Sequence, residues 1–102
     1  MKNETAVFNR ILNELHICMC SSMYMHLCIY TQSSKDEPER ARVTFTRSHA
    51  DDTRWFICVQ PAAVYAAGSS FTTPEAFDVA SLILAMLPDE DLAGAFVGCS
   101  MS

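Results

Sequence analysis

Residues 23–60, MYMHLCIYTQSSKDEPERARVTFTRSHADDTRWFICVQ, decide the fold, because three separate runs within them alternate every second residue, the period of a β-strand. In the first run Met23, Met25, Leu27 and Ile29 fall on one side, and Tyr24, His26, Cys28 and Tyr30 on the other. In the second, over 40–47, Ala41, Val43 and Phe45 oppose Arg40, Arg42, Thr44 and Thr46, with the β-branched and aromatic content that strands favour. In the third, over 54–60, Trp55, Ile57 and Val59 oppose Arg54, Phe56 and Cys58. The polar stretch 32–39, with paired serines and Pro38, reads as one connection, and 48–53, with Asp51 and Asp52, as the next.

The flanks of this meander have the helical period. Val7, Phe8, Ile11, Leu12 and Leu15 lie within about 140° of arc at 100° per residue, predicting a helix over about 4–16 that ends at His16. Downstream, Thr72-Thr73-Pro74-Glu75 reads as a capping box with proline in the first turn, predicting a helix to about Leu87 before Pro88. A further short turn is expected over 89–95. Residues 97–102 are expected as a loosely held, flexible tail, and 62–67 is readable either as a fourth strand or as a turn of helix. The predicted class is α+β: a two-layer sandwich with an N-terminal helix, a three- or four-stranded antiparallel meander, and a C-terminal helix packed on one face of the sheet.

Size and composition fit one domain over 1–102. Half of the 102 residues are apolar and 19% are charged, with three glycines and four prolines, the reverse of a disordered or linker composition. No apolar run followed by a small-residue cleavage site opens the chain, and none approaches a membrane span. Five cysteines, Cys18, Cys20, Cys28, Cys58 and Cys99, are odd in number and irregularly spaced, which suits reduced thiols better than a secreted disulfide framework. These features predict a cytoplasmic protein.

Three features bear on function. The sheet face away from the helices carries Tyr24, Tyr30, Arg42, Arg54 and Phe56, a set that stacks bases and neutralises phosphates in single-stranded nucleic-acid binders but equally forms ordinary cross-strand pairs. The C-terminal helix places Leu82 within its polar stripe and Met86 at the edge, beyond the apolar arc that one sheet can cover. Glu75, Asp78, Asp89, Glu90 and Asp91 make that same end acidic. All seven basic residues precede position 61, where seven acids balance them, so the net charge of −5 belongs to residues 61–102. Direct nucleic-acid binding is not expected of such a balance, because phosphate neutralisation needs a basic surplus.

Chemistry is poorly provided for. His16, Cys18, Met19, Cys20, Met23, Met25, His26 and Cys28 are the right residue types for a soft metal, but the spacing is CxC, and no second Cys/His pair follows at a finger-like distance. Cys28 has His26 beside it but no glycine-rich turn or helix start to serve as an oxyanion site. Glycines at 68, 94 and 98 permit neither a dinucleotide fingerprint nor a phosphate loop. No enzyme activity, metal or cofactor is expected.

The reading that emerges is a small acidic protein-binding module that blocks a partner sterically, for instance a nucleic-acid-handling complex. Inhibitors from phages and mobile genetic elements, anti-CRISPR proteins among them, share this size and acidity, an association of composition and not of motif. The rival readings are a single-stranded nucleic-acid binder using the sheet face and a small dimeric secretion-type chaperone, the latter requiring a homodimer.

Overall fold

A computed structural model describes residues 2–30, 39–60 and 69–100. It contains helix α1 (Lys2–Ser21), strands β1 (Tyr24–Tyr30), β2 (Glu39–Arg47), β3 (Arg54–Gln60) and β4 (Phe71–Thr72), helices α2 (Thr73–Ala85) and α3 (Asp89–Ala93), and strand β5 (Phe96–Ser100). The strands form one antiparallel sheet in the order β4-β3-β2-β1-β5, and the helices lie on one face of it, an α+β two-layer arrangement.

Alternation fixes the register. Met25 pairs with Phe45 and Phe45 with Ile57, while Leu27, Val43 and Val59 make the next row, so the bulky apolar side chains stack on the helix side. All of these but the partly buried Val59 join Ile11 and Leu15 of α1 and Ala76, Ala80 and Leu84 of α2 in the buried core. The small side chains of Ala76 and Ala80 allow α2 to approach the sheet closely. Phe77, Val79, Ile83 and Leu87 therefore flank the contact and are only partly buried.

The capping box forms as its sequence implies. Glu75 N–H donates to the Thr72 hydroxyl at 3.3 Å, and Thr72 N–H to the Glu75 carboxylate at 2.8 Å. The Thr72 N–H, then the Thr72 hydroxyl, hold the Glu75 carboxyl below its ordinary value. A group depressed on folding contributes stability above its unfolded pKa, and that contribution disappears as pH falls through the folded one. Thr72→Ala should lower stability by about 1 kcal/mol at neutral pH. Below pH 4.5, the ordinary Glu75 value, the wild type should lose more stability on acidification than Glu75→Gln does, as urea midpoints would show.

Two expectations are corrected. Helix α1 does not end at His16 but continues to Ser21, because buried Cys18 and Met19 prolong the apolar line of Ile11 and Leu15. The expected tail is instead β5, with Val97 opposite Leu27 and Cys99 opposite Met25 on the helix side, extending the sheet to five strands. Between those two, Gly98 lies opposite His26 on the other face, and a Cβ there would stand 2.6 Å from the imidazole Nε2. Gly98→Ala should therefore displace a ring already set against Tyr24 and Phe96 and cost about 1–3 kcal/mol. A double-mutant cycle with His26→Ala should recover most of that loss. The choice left open over 62–67 lies outside the described residues.

Candidate protein-binding surface

The end of α1 is organised by a residue whose sequence position gives no hint of its role. Arg47, the last residue of β2, lies on the helix side of the sheet in the row of Trp55 and Phe71. Its guanidinium carbon is 4.2 Å from the centre of the Trp55 ring. From there Nε donates to the Ser22 carbonyl at 3.1 Å, and the two terminal nitrogens donate to the carbonyls of Met19 and Asp52. Helix α1 has no basic residue in its last turn, so Arg47 supplies from the sheet the cation and donors that a helix C-terminus otherwise lacks. The Trp55 indole N–H donates to the Thr73 hydroxyl at 3.0 Å, tying the same corner to the start of α2.

With that corner fixed, α2 presents a defined outward face. Glu75 and Asp78 are exposed in its first turns; Leu82 is 63% exposed and Met86 81% exposed at its other end. Asp89 and Glu90 of α3 follow and are exposed, but Asp91 turns inward and is buried beside Leu92. Asp91 is thereby removed from the expected acidic surface. Along the chain the exposed apolar side chains thus fall between two pairs of exposed acids, and no basic residue follows position 60. Ile17, missed because α1 was expected to stop one residue earlier, is 57% exposed and adds an apolar side chain on α1. Next to it, His16 meets Phe77 edge-on at 5.9 Å, at the rim of an apolar groove of about 270 Å³ between α1 and α2 that Met19, Pro74 and Asp78 also line.

The opposite sheet face is less open than its sequence implies. Tyr24 and His26 are half-buried and tilted against each other, Cys28 is fully buried, and Phe56 is 42% exposed. Arg54 is committed to Ser70, with Nε 2.7 Å from the hydroxyl and a terminal nitrogen 2.8 Å from the carbonyl. Arg42 pairs with Gln60, six residues along β3 from Arg54, so the two arginines stand about 20 Å apart. The backbone of Tyr30 is opposite Glu39, beyond a register shift after Ile29; its side chain lies outside the described residues. Tyr24, Arg42, Arg54 and Phe56 share a face without converging on one point.

The sheet also divides the soft-ligand residues. Cys18 and Cys20 lie on α1, whereas His26 and Cys28 project from the far face, and among the described residues no three His, Cys, Asp or Glu side chains gather as a metal site would need. No helix among the described residues is long and apolar enough to cross a membrane. No protein-family model, curated protein or solved structure matches the chain.

Proposed function

We propose that the chain is a non-catalytic protein-binding module whose contact surface is the outward face of α2 with the start of α3. The observation that carries this reading is the exposure of Leu82, on a helix whose other face packs against the core, and of Met86 just after it, with exposed Glu75 and Asp78 before them in the chain and exposed Asp89 and Glu90 after. Burial of an apolar centre supplies affinity, and a charged rim selects the partner and speeds encounter. The chemistry it fits is an apolar patch rimmed by lysine and arginine, as found on proteins that handle nucleic acid. Occupying such a surface would block the partner sterically, which is how an inhibitor of this size could act.

Charge argues against a second copy as the occupant. In a parallel two-fold pairing of α2, Glu75 and Asp78 meet their own copies. In an antiparallel one, Glu75 approaches the segment that carries Asp89 and Glu90. Neither arrangement brings a base from residues 61–102 to compensate, and like charges across an interface cost several kcal/mol. The homodimer that a chaperone would need is therefore the weaker reading.

The test is a photo-crosslinking residue placed at 82 in the full chain, with one at exposed Ala50 as control, in the native host. Crosslinking from 82 alone to a basic protein, weakened by added salt, is the expected result. Crosslinking only to another copy of the chain would replace this reading with a dimer. Retention of a labelled single-stranded oligonucleotide at low salt, lost in Phe56→Ala, would move the function to the sheet face.

A further inference from the structure

Cys18 and Cys99 come from opposite ends of the sequence and meet where α1 packs on β5. Register explains the meeting. Cys99 is paired with Met25, a wholly buried residue on the helix side, so its side chain leaves β5 toward α1. Cys18 lies on the core line of α1 and is only 6% exposed. Their thiols hydrogen-bond to each other, and the side chain of Ser22, itself buried at the end of the helix, bonds to both. All five cysteines are free thiols, and this pair joins one buried sulfur to one exposed one.

We propose that Cys18 and Cys99 are a reversible dithiol–disulfide site that fastens the edge strand β5 to helix α1.

The two sulfurs have different roles. Hydrogen bonds from Cys18 and then Ser22 hold the Cys99 thiol below its ordinary value, and Cys99 is open to solvent, so it is the attacking thiolate. Burial, followed by the hydrogen bond and charge of Cys99, pushes Cys18 up to about 12, so it stays protonated until its partner has reacted. The oxidant is a low-molecular-weight disulfide such as oxidised glutathione. The Cys99 thiolate attacks one of its sulfurs, forming a mixed disulfide and expelling one glutathione thiolate. Cys99 is then neutral, which removes the charge that opposed ionisation of Cys18. Cys18 gives its proton to the expelled thiolate and attacks the Cys99 sulfur, releasing the second glutathione. Two protein thiols lose two electrons, and one glutathione disulfide gains them. The bond closes a loop of roughly 80 residues, which restricts the unfolded chain and should raise the thermal midpoint by roughly 10 °C or more.

Cys20 and Cys58 serve as internal controls, since both are exposed: one beside the groove between the helices, the other on the far sheet face. The experiment treats the full-length chain with oxidised glutathione and maps the products by mass spectrometry over time. Cys99 should react at least about tenfold faster than Cys20 or Cys58, and the Cys18–Cys99 crosslink should then accumulate. Cys18→Ser should trap glutathione on Cys99. Cys99→Ser, an exposed substitution that preserves the core, should abolish both the crosslink and the oxidant-induced rise in midpoint. Equal reaction at the three exposed cysteines, or scrambled pairs in place of the one crosslink, would overturn the proposal.

Discussion

Arg47→Met should lower the unfolding free energy by about 2–4 kcal/mol, seen as a fall in urea midpoint with little change in m. The magnitude follows from what the guanidinium serves. Its three carbonyl partners belong to three parts of the chain: the last turn of α1, the residue after it, and the turn between β2 and β3. A hydrogen bond from a charged donor contributes about 1.5–3 kcal/mol, but the contacts are part-buried and not additive, so the total stays well below the sum. The Asp52 contact is exposed and water can replace it. The Met19 and Ser22 carbonyls lie deeper, and losing their donor leaves them less well satisfied. Methionine retains some packing on Trp55, so the loss isolates the polar part. Arg47→Lys keeps the charge near the helix C-terminus but has no planar fork to reach separate carbonyls, and it should recover less than half of the loss. A methionine variant as stable as the wild type would mean that water satisfies all three carbonyls.

Arg47 also shows where sequence reading ends. Alternation over 40–47 sets side chains on faces, and it fixed the rows Met25–Phe45–Ile57 and Leu27–Val43–Val59, because an error of one residue would have turned every apolar side chain to the wrong face. The partners of Arg47 are backbone carbonyls, which no residue type marks in a sequence. Helix α2 was legible from its capping box, and the outward position of Leu82 from the 100° count. The end of α1 was not, because Cys18 and Met19 were weighed as metal ligands when their helical spacing from Ile11 and Leu15 already placed them in the core. Strand β5 was missed for a related reason: Val97 and Cys99 alternate with Phe96 and Gly98 over only a few residues near the end of the chain, and a glycine in so short a run reads as loop. Its reason is the His26 ring above it, a contact across strands. Asp91 is similar, since three consecutive acids look alike until the turn of α3 buries one.

Leu82→Glu should leave the fold unchanged and weaken partner binding by roughly 100-fold or more. The first half rests on exposure: Leu82 lies on the solvent side of α2, the buried residues of that helix being Ala76, Ala80 and Leu84, so stability should shift by no more than about 0.5 kcal/mol. The second half rests on chemistry. Glutamate removes the apolar anchor from the centre of the face and puts a carboxylate where the partner would bury apolar surface, so the loss should fall mainly on dissociation. Asp78→Lys, one helical turn away, should behave differently: the apolar contact stays, the rim loses its attraction, and association slows in a way that added salt conceals. Together the two variants separate contact from steering, with rates read by surface plasmon resonance against the partner crosslinked from position 82. If Leu82→Glu unfolds the chain, Leu82 is part of the core. If it folds and binds as tightly as the wild type, the contact lies elsewhere, and Phe56 on the far sheet face becomes the residue to test.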